Sequence, residues 1–304
     1  MSLSLKPIMN LHEQITHTRL KKVCSSWGAS VHEKIRMADV LRIENSGIKS
    51  SEYSFALKAH FDFTVTDSNT CPLFVVEFDG PLHKRNPEQS RRDKTKNLLC
   101  KKFGLPILRI NSNYFKKYRK MDILTWFINI FFLEKGFYQS QDQGLIPPDE
   151  PFDPHAILYL SDRGDNYPFW LSLEARVKIE HLRKEGRCVD HAPSVFIGLK
   201  EDIYRGIGFL RLDTERGIRA QTAMKFQDFP TKIHLILEDL VVLELYESLL
   251  ACLNGRMSPE QLTDIENKVR AFLDTNSLVS AGNSGGGMFP ESEPWQSYYR
   301  YDEL

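Results

Sequence analysis

Residues 71–83 read CPLFVVEFDGPLH, and this stretch decides the fold because it joins a core strand to a cluster of chemically active groups. Side chains alternate along a strand, so within residues 73–79 Val76 and Phe78 face one way while Glu77 and Asp79 face the other. Two carboxylates therefore leave the strand end together. Gly80 and Pro81 stop the strand, and His83 follows within reach of the same edge. One step outward, residues 61–66 (FDFTVT) also alternate, with Phe61, Phe63 and Val65 on one face and Asp62, Thr64 and Thr66 on the other. Residues 67–70 (DSNT) between them are turn chemistry. A symmetric hairpin centred between Asn69 and Thr70 pairs position 62 with position 77, and opposed Cβ atoms lie roughly 5 Å apart. Two carboxylates that close repel unless one is protonated or a cation lies between them. An oxygen-lined site of this kind suits Mg²⁺ or Mn²⁺.

On the C-terminal side, Asn86-Pro87-Glu88-Gln89 carries a capping residue, proline at the first helical position and Gln at the third. A helix is expected from there to about residue 103, stopped by Gly104 and Pro106. Residues 106–110 (PILRI) then form a strand, and the strand, helix, strand order predicts a parallel crossover in a small mixed α/β sheet flanked by helices. On the N-terminal side, residues 10–25 read as an opening helix with Leu11, Ile15 and Val23 on one face. Asn10 and Glu13 have capping-box spacing, so Glu13 either satisfies a backbone donor or leans into the carboxylate site as a further metal ligand. Residues 31–43 read as a short strand and a helical turn, and 45–54 as loop.

The net charge of zero conceals an asymmetry. Residues 1–140 hold 23 Lys+Arg against 13 Asp+Glu, and residues 141–304 hold 17 against 27. A basic half joined to an acidic half suggests a polyanion partner for the first alone, the acidic half being available to a protein partner. The basic charge concentrates between 81 and 120, where 13 Lys+Arg, among them Lys84, Arg85, Arg91, Arg92, Lys94 and Lys96, face only Glu88 and Asp93. A charge run on a helix is commonly its solvated face. This one continues into the flanking loops beside the carboxylate edge, which favours phosphate binding. Five cysteines without a CxxC pair argue against a disulfide framework and a zinc site, and point to a reducing, cytoplasmic setting. The N-terminal residues lack a signal-peptide core. The most apolar stretch, residues 121–133, is interrupted by Asp122, Thr125 and Asn129 on one helical face, so a buried helix and no membrane span is expected.

These residues carry a family likeness. Asp62-Phe63, Glu77-x-Asp79-Gly80-x-x-His83, Arg92-Asp93-x-x-Lys96 and Gly104-x-Pro106-x-Leu108-Arg109-Ile110 together resemble the PD-(D/E)XK nuclease superfamily, in the branch near the very-short-patch-repair endonucleases that includes an uncharacterised bacterial domain family. The resemblance covers the first 110 to 120 residues. It implies a restriction-endonuclease-like core, with Asp62, Glu77 and the Phe78 carbonyl as ligands of a divalent metal that holds a scissile phosphate and activates water. Asp79 stands where the superfamily's usual lysine would be, which leaves that lysine's role without an owner. His83 is the first candidate, as general base or phosphate contact. Lys96, then Lys94 or Arg92, are candidates for supplying the positive charge from the helix. Taken singly each residue has an ordinary explanation, and Asp93 and Lys96 are at a spacing that lets them pair with each other.

Residues 141–154 are a linker by composition, leading to an α+β domain over 155–275 with strands at 155–160, 194–199 and 206–212 and helices at 173–184, 233–253 and from Ser258 to about 274. Asp162, Asp165, Asp213 and Glu215 read as turn residues. Residues 276–304 read as a disordered segment ending in an aromatic tail. The expectation as a whole is a metal-dependent endonuclease acting on nucleic acid, DNA in preference to RNA. The alternatives are an inactive nucleic-acid-binding module on the same fold, or a nuclease subunit active only with a protein partner.

Overall fold

The computed structural model describes residues 9–80, 87–118, 121–157 and 169–282. His83, Lys84 and Arg85 lie outside these residues, as do Asp162, Asp165, the aromatic tail and 158–160 of a strand expected from 155, whose described start is instead a 3-10 turn, Pro154–Ala156. The chain divides into two compact units, one running to Phe169 and including Gln227–Thr231, the other made of Trp170–Phe226 and the residues from Lys232 onward. The first unit thus extends past the boundary expected at 140 and takes in a short segment from the second half.

In the first unit, α1 (Leu11–Ser25) opens on a complete capping box. Asn10 Oδ1 accepts the Glu13 N–H at 3.0 Å and Glu13 Oε2 accepts the Asn10 N–H at 2.8 Å. Thr16, Leu20, Val23 and Cys24 are buried, whereas Leu11, expected on the inner face, is exposed. β1 (Ser30–Glu33) and the short α2 (Met37–Val40) match the strand and helical turn expected over 31–43. α3 (Ser50–Ala56) replaces the second half of the expected loop. Glu52 at its third position accepts the Lys49 N–H, and Ala56 packs into the core.

β2 (Phe63–Thr66) and β3 (Pro72–Phe78) form the expected hairpin, α4 (Pro87–Lys102) the crossover helix, and β4 (Ile107–Ile110) the closing strand. The sheet order is β1-β2-β3-β4, antiparallel except for the parallel β3–β4 pair. Gly104 ends α4 with φ +65°, and the following Leu105 N–H returns to the Cys100 carbonyl. Adjacent residues of β3 serve opposite faces. Val75 joins Leu99 and Cys100 of α4, with Phe61, Ile107 and Met37, in one core cluster. Phe74 meets Phe131 at 4.6 Å and Phe229 at 5.4 Å on the other side.

Phe61 is a correction. It was expected beside Phe63, yet it packs in the α4 cluster while Phe63 stacks on His17 of α1. The chain bends at Asp62, so strict alternation starts only at Phe63. β5 (Lys117–Tyr118) and β6 (Met121–Asp122) form a small ribbon before α5 (Ile123–Asp142), the helix expected from the apolar stretch. Two of the three polar residues of that stretch bond through their side chains, and Thr125 through its backbone. Asp122 caps α5 through Thr125 N–H and pairs with Arg19, and Asn129 accepts the Trp27 indole N–H at 2.8 Å. The supposed linker is ordered locally, since the Gln141 amide donates to the Pro147 and Glu150 carbonyls at 2.7 Å and Phe152 packs on Phe137.

Among its described residues, the second unit is a five-stranded antiparallel sheet with helices on both faces. α6 (Leu173–Lys184) precedes β7 (Ser194–Lys200), β8 (Ile203–Arg211) and β9 (Arg216–Lys225), followed by α7 (Ile233–Leu253), β10 (Glu260–Gln261), α8 (Leu262–Thr275) and β11 (Ser277–Gly282). The order is β10-β9-β8-β7-β11. Gly206 and Gly208 let α7 approach closely, since a Cβ on Gly208 would lie 2.6 Å from Val241. Ile265, Val269 and Phe272 of α8 cover Phe196, Ile207 and Phe209 on the opposite face. β9 and β11 were not expected, and β11 takes part of the segment read as disordered. Ser258 does not cap α8, because Glu260 and Gln261 pair first with Gly217 and Arg216. Among the described residues no helix is long and apolar enough to cross a membrane. All five cysteines are free.

Candidate metal and phosphodiester site

The hairpin register near the site is the one derived from the sequence. Phe63 opposes Val76, which sets Asp62 level with Glu77. Their link is direct, for the Asp62 N–H donates to Glu77 Oε1 at 3.2 Å and the Phe78 N–H donates to Asp62 Oδ2 at 3.0 Å. In an extended strand the N–H and C=O of one residue point to the same side. The Phe78 carbonyl therefore faces the Asp62 edge, where a metal ligand was expected.

Two lysines neutralise this edge. Lys96, the tenth residue of α4, donates to Glu77 Oε2 at 2.6 Å and to the His60 carbonyl at 2.8 Å, with its ammonium 5.7 Å from the Phe61 ring centre. Lys34, directly after β1, sits 2.6 Å from both Glu13 Oε1 and Asp62 Oδ1. Burial pushes the Glu77 carboxyl up to about 7, with the neighbouring Asp62 charge adding to the rise and Lys96 opposing it. Burial alone would lower the Lys34 ammonium, yet its bonds to Asp62 and Glu13 more than offset this and raise it. Glu13 closes the cap of α1, the first of its two expected roles, and its second oxygen is held by Lys34, across whose ammonium it faces Asp62.

Asp79, two residues beyond Glu77, is held by Arg109 at 2.7 Å. Arg109 is 5% exposed and also reaches Asn97 at 2.9 Å and Asp93 at 3.4 Å on α4. Asp93 and Lys96 consequently serve different partners, one Arg109 and the other Glu77. The arginine ties α4 to the sheet and so fixes the helix register that aims Lys96 at Glu77. Gln227 supports the same strand from the returning segment, bonding the Arg109 backbone at 2.9 and 3.0 Å and the Tyr114 hydroxyl at 3.0 Å. Arg91, Arg92 and Lys94 are exposed on the outer face of α4.

Residues 5–123 match a family described as protein of unknown function (DUF2726). Among curated proteins and among solved structures nothing matches. The matched span contains Glu13, Lys34, Asp62, Glu77, Asp79, Lys96 and Arg109, and excludes the whole second unit.

The donors suit a hard divalent cation in one respect and differ from expectation in another. Asp62, Glu77 and the Phe78 carbonyl offer oxygens at one edge, and Mg²⁺ is commonly held by one or two carboxylates with water and substrate phosphate completing its shell. The two ammoniums already mark where positive charge is accommodated. Among the described residues no three His, Cys, Asp or Glu side chains converge at metal-holding distance. Glu13 stands off from the pair because Lys34 lies between. Lys34, Arg109, Asn97 and Gln227 were not singled out from the sequence as parts of the site. Arg109 had a signal in its motif, whereas Lys34 and Gln227 reach the edge only through tertiary folding.

Proposed function

We propose that the chain is a metal-dependent nuclease that hydrolyses phosphodiester bonds of nucleic acid, DNA in preference to RNA, using Mg²⁺ or Mn²⁺. The observation that carries this reading is the meeting of Asp62, Glu77 and Lys96, from a hairpin and a helix, at one strand edge beside an exposed basic helix face. When bound, the metal supplies Lewis-acid chemistry, polarising the phosphoryl group and lowering the pKa of water. Asp62 and Glu77 hold it, with the Phe78 carbonyl at the same edge.

Lys96 takes over the charge role that Asp79 has vacated. Its ammonium is fixed by the His60 carbonyl and Glu77, so it needs no reorganisation when negative charge grows on the phosphate. Arg109 and Asp79 act as positioning residues through α4. Arg91, Arg92 and Lys94 follow the phosphate backbone, a contact that weakens steeply with salt. His83 keeps its candidacy as general base or phosphate contact, and Lys84 and Arg85 theirs as nucleic-acid contacts. Glu13 joins the ligand set where the Lys34 ammonium withdraws.

The test is incubation of the purified protein with supercoiled plasmid and a single-stranded oligonucleotide in Mg²⁺, Mn²⁺ or EDTA, beside Asp62→Ala and Glu77→Ala. Cutting should require metal and fall at least about 10³-fold in each variant with the circular dichroism spectrum unchanged. Full activity in both variants overturns the assignment. Salt-sensitive binding with no cutting under any metal favours the binding-module reading, which rests on Asp79 in the lysine position.

A further inference from the structure

Lys34 has features that a surface ion pair does not require. It is a non-glycine residue in the left-handed region, φ +52°, held there by its N–H bond to the Asp62 carbonyl at 3.0 Å. Its side chain reaches back so that one ammonium bridges Glu13 and Asp62, each at 2.6 Å. Both acceptors are fixed independently. Glu13 is pinned by the Asn10 cap, and the second oxygen of Asp62 is taken by the Phe78 N–H. The Asp62 oxygen that Lys34 occupies is the one not held by a backbone N–H, and an ammonium and a divalent ion both drawn to it repel each other strongly.

We propose that Lys34 is a built-in counter-ion that competes with the divalent metal for Asp62, so that loading the metal expels its ammonium and brings Glu13 into reach of the ion. This deepens the metal-nuclease reading and rests on it. In the metal-free chain Lys34 keeps Asp62 and Glu13 apart and neutralised, and it lowers the affinity of the site for a free metal ion.

The experiment uses the native chain, an amine-acylating reagent with mass-spectrometric readout at Lys34, and Mn²⁺ binding followed by electron paramagnetic resonance. Saturating Mn²⁺ should speed acylation of Lys34 several-fold. Lys34→Gln should bind Mn²⁺ about tenfold tighter than the native chain, because a unit positive charge has left the site. Mn²⁺ binding that Glu77→Gln abolishes, combined with unmoved Lys34 reactivity, overturns the competition alone. Equal or weaker Mn²⁺ affinity in Lys34→Gln does the same. No Mn²⁺ binding by the native chain overturns the metal site and the competition together.

Discussion

The two sheets hold their helices by different means. In the second unit, α7 and α8 meet the strands through apolar contact at close range, with Gly206 and Gly208 making room for Val241, Leu237 and Leu245. Its buried charge is consumed locally, Asp239 taking the Leu171 N–H and the Ser172 hydroxyl. In the first unit, α4 adds charge to its apolar contact through Leu99 and Cys100: Lys96 to Glu77 and Arg109 to Asp93 join it to the sheet, and Lys102 to Glu52 joins it to α3. Burying ions costs desolvation that apolar packing avoids. A sheet edge that gathers Glu13, Asp62, Glu77 and Asp79 with two lysines and an arginine is the stronger candidate for chemistry, and the second sheet reads as a packed scaffold.

Four measurements sharpen or break this contrast. Arg109→Met leaves Asp79 and Asp93 without their buried cation and should cost the first unit about 3–5 kcal/mol in chemical denaturation. A cost under about 1 kcal/mol would mean the ionic fastening of α4 is incidental. The second concerns pH. Glu77 is raised in the fold from the ordinary 4.5 to about 7, so its stabilising contribution is complete below 4.5 and is lost as pH rises through about 7. Metal-free protein should therefore lose on the order of 2–3 kcal/mol across that window relative to Glu77→Gln, whose profile lacks this slope. Parallel profiles would show that Glu77 is not buried as described.

The third addresses the packed sheet. Gly208→Ala sets a Cβ 2.6 Å from Val241 and 2.9 Å from the Ser194 carbonyl, and should destabilise the second unit by about 1–3 kcal/mol. A neutral outcome would mean α7 is less closely seated than its glycines indicate. The smallest effect is expected for Asn10→Ala, which removes one half of the capping box and should cost about 1 kcal/mol. That variant keeps the backbone N–H that Glu13 Oε2 accepts and leaves Lys34 in place, so it tests the cap of α1 without releasing the Glu13 carboxylate.

How far the sequence foretold this depends on the range of the interaction. The pairing of Asp62 with Glu77 followed from counting across the turn, and it survives a bulge at Val65 and Thr66 because the irregularity lies at the turn end of the hairpin. The parallel partner β4, the ends of α4 and the capping box of α1 were legible from local signals. Phe61 was misplaced because alternation was extended across a bend at Asp62. Lys34 had no local signal. Its part in the site depends on a left-handed backbone residue and on α1 coming beside β1, and neither leaves a periodic trace. Gln227 lies 118 residues from Arg109 in sequence, so only folding brings them together. In the second unit, β9 was hidden by its run of Arg and Gly, and β11 by its nearness to a glycine-rich segment. Lys96, a candidate named from the helix, meets Glu77 through a helix register that Arg109 secures.

The most direct measurement is an anomalous-difference map from crystals of the protein soaked in Mn²⁺. A peak about 2.1 Å from carboxylate oxygens of both Asp62 and Glu77, and absent in Glu77→Gln, is the predicted result. A saturated soak with no peak at that edge, or with the ion bound elsewhere, would contradict the assignment of these carboxylates as a metal site.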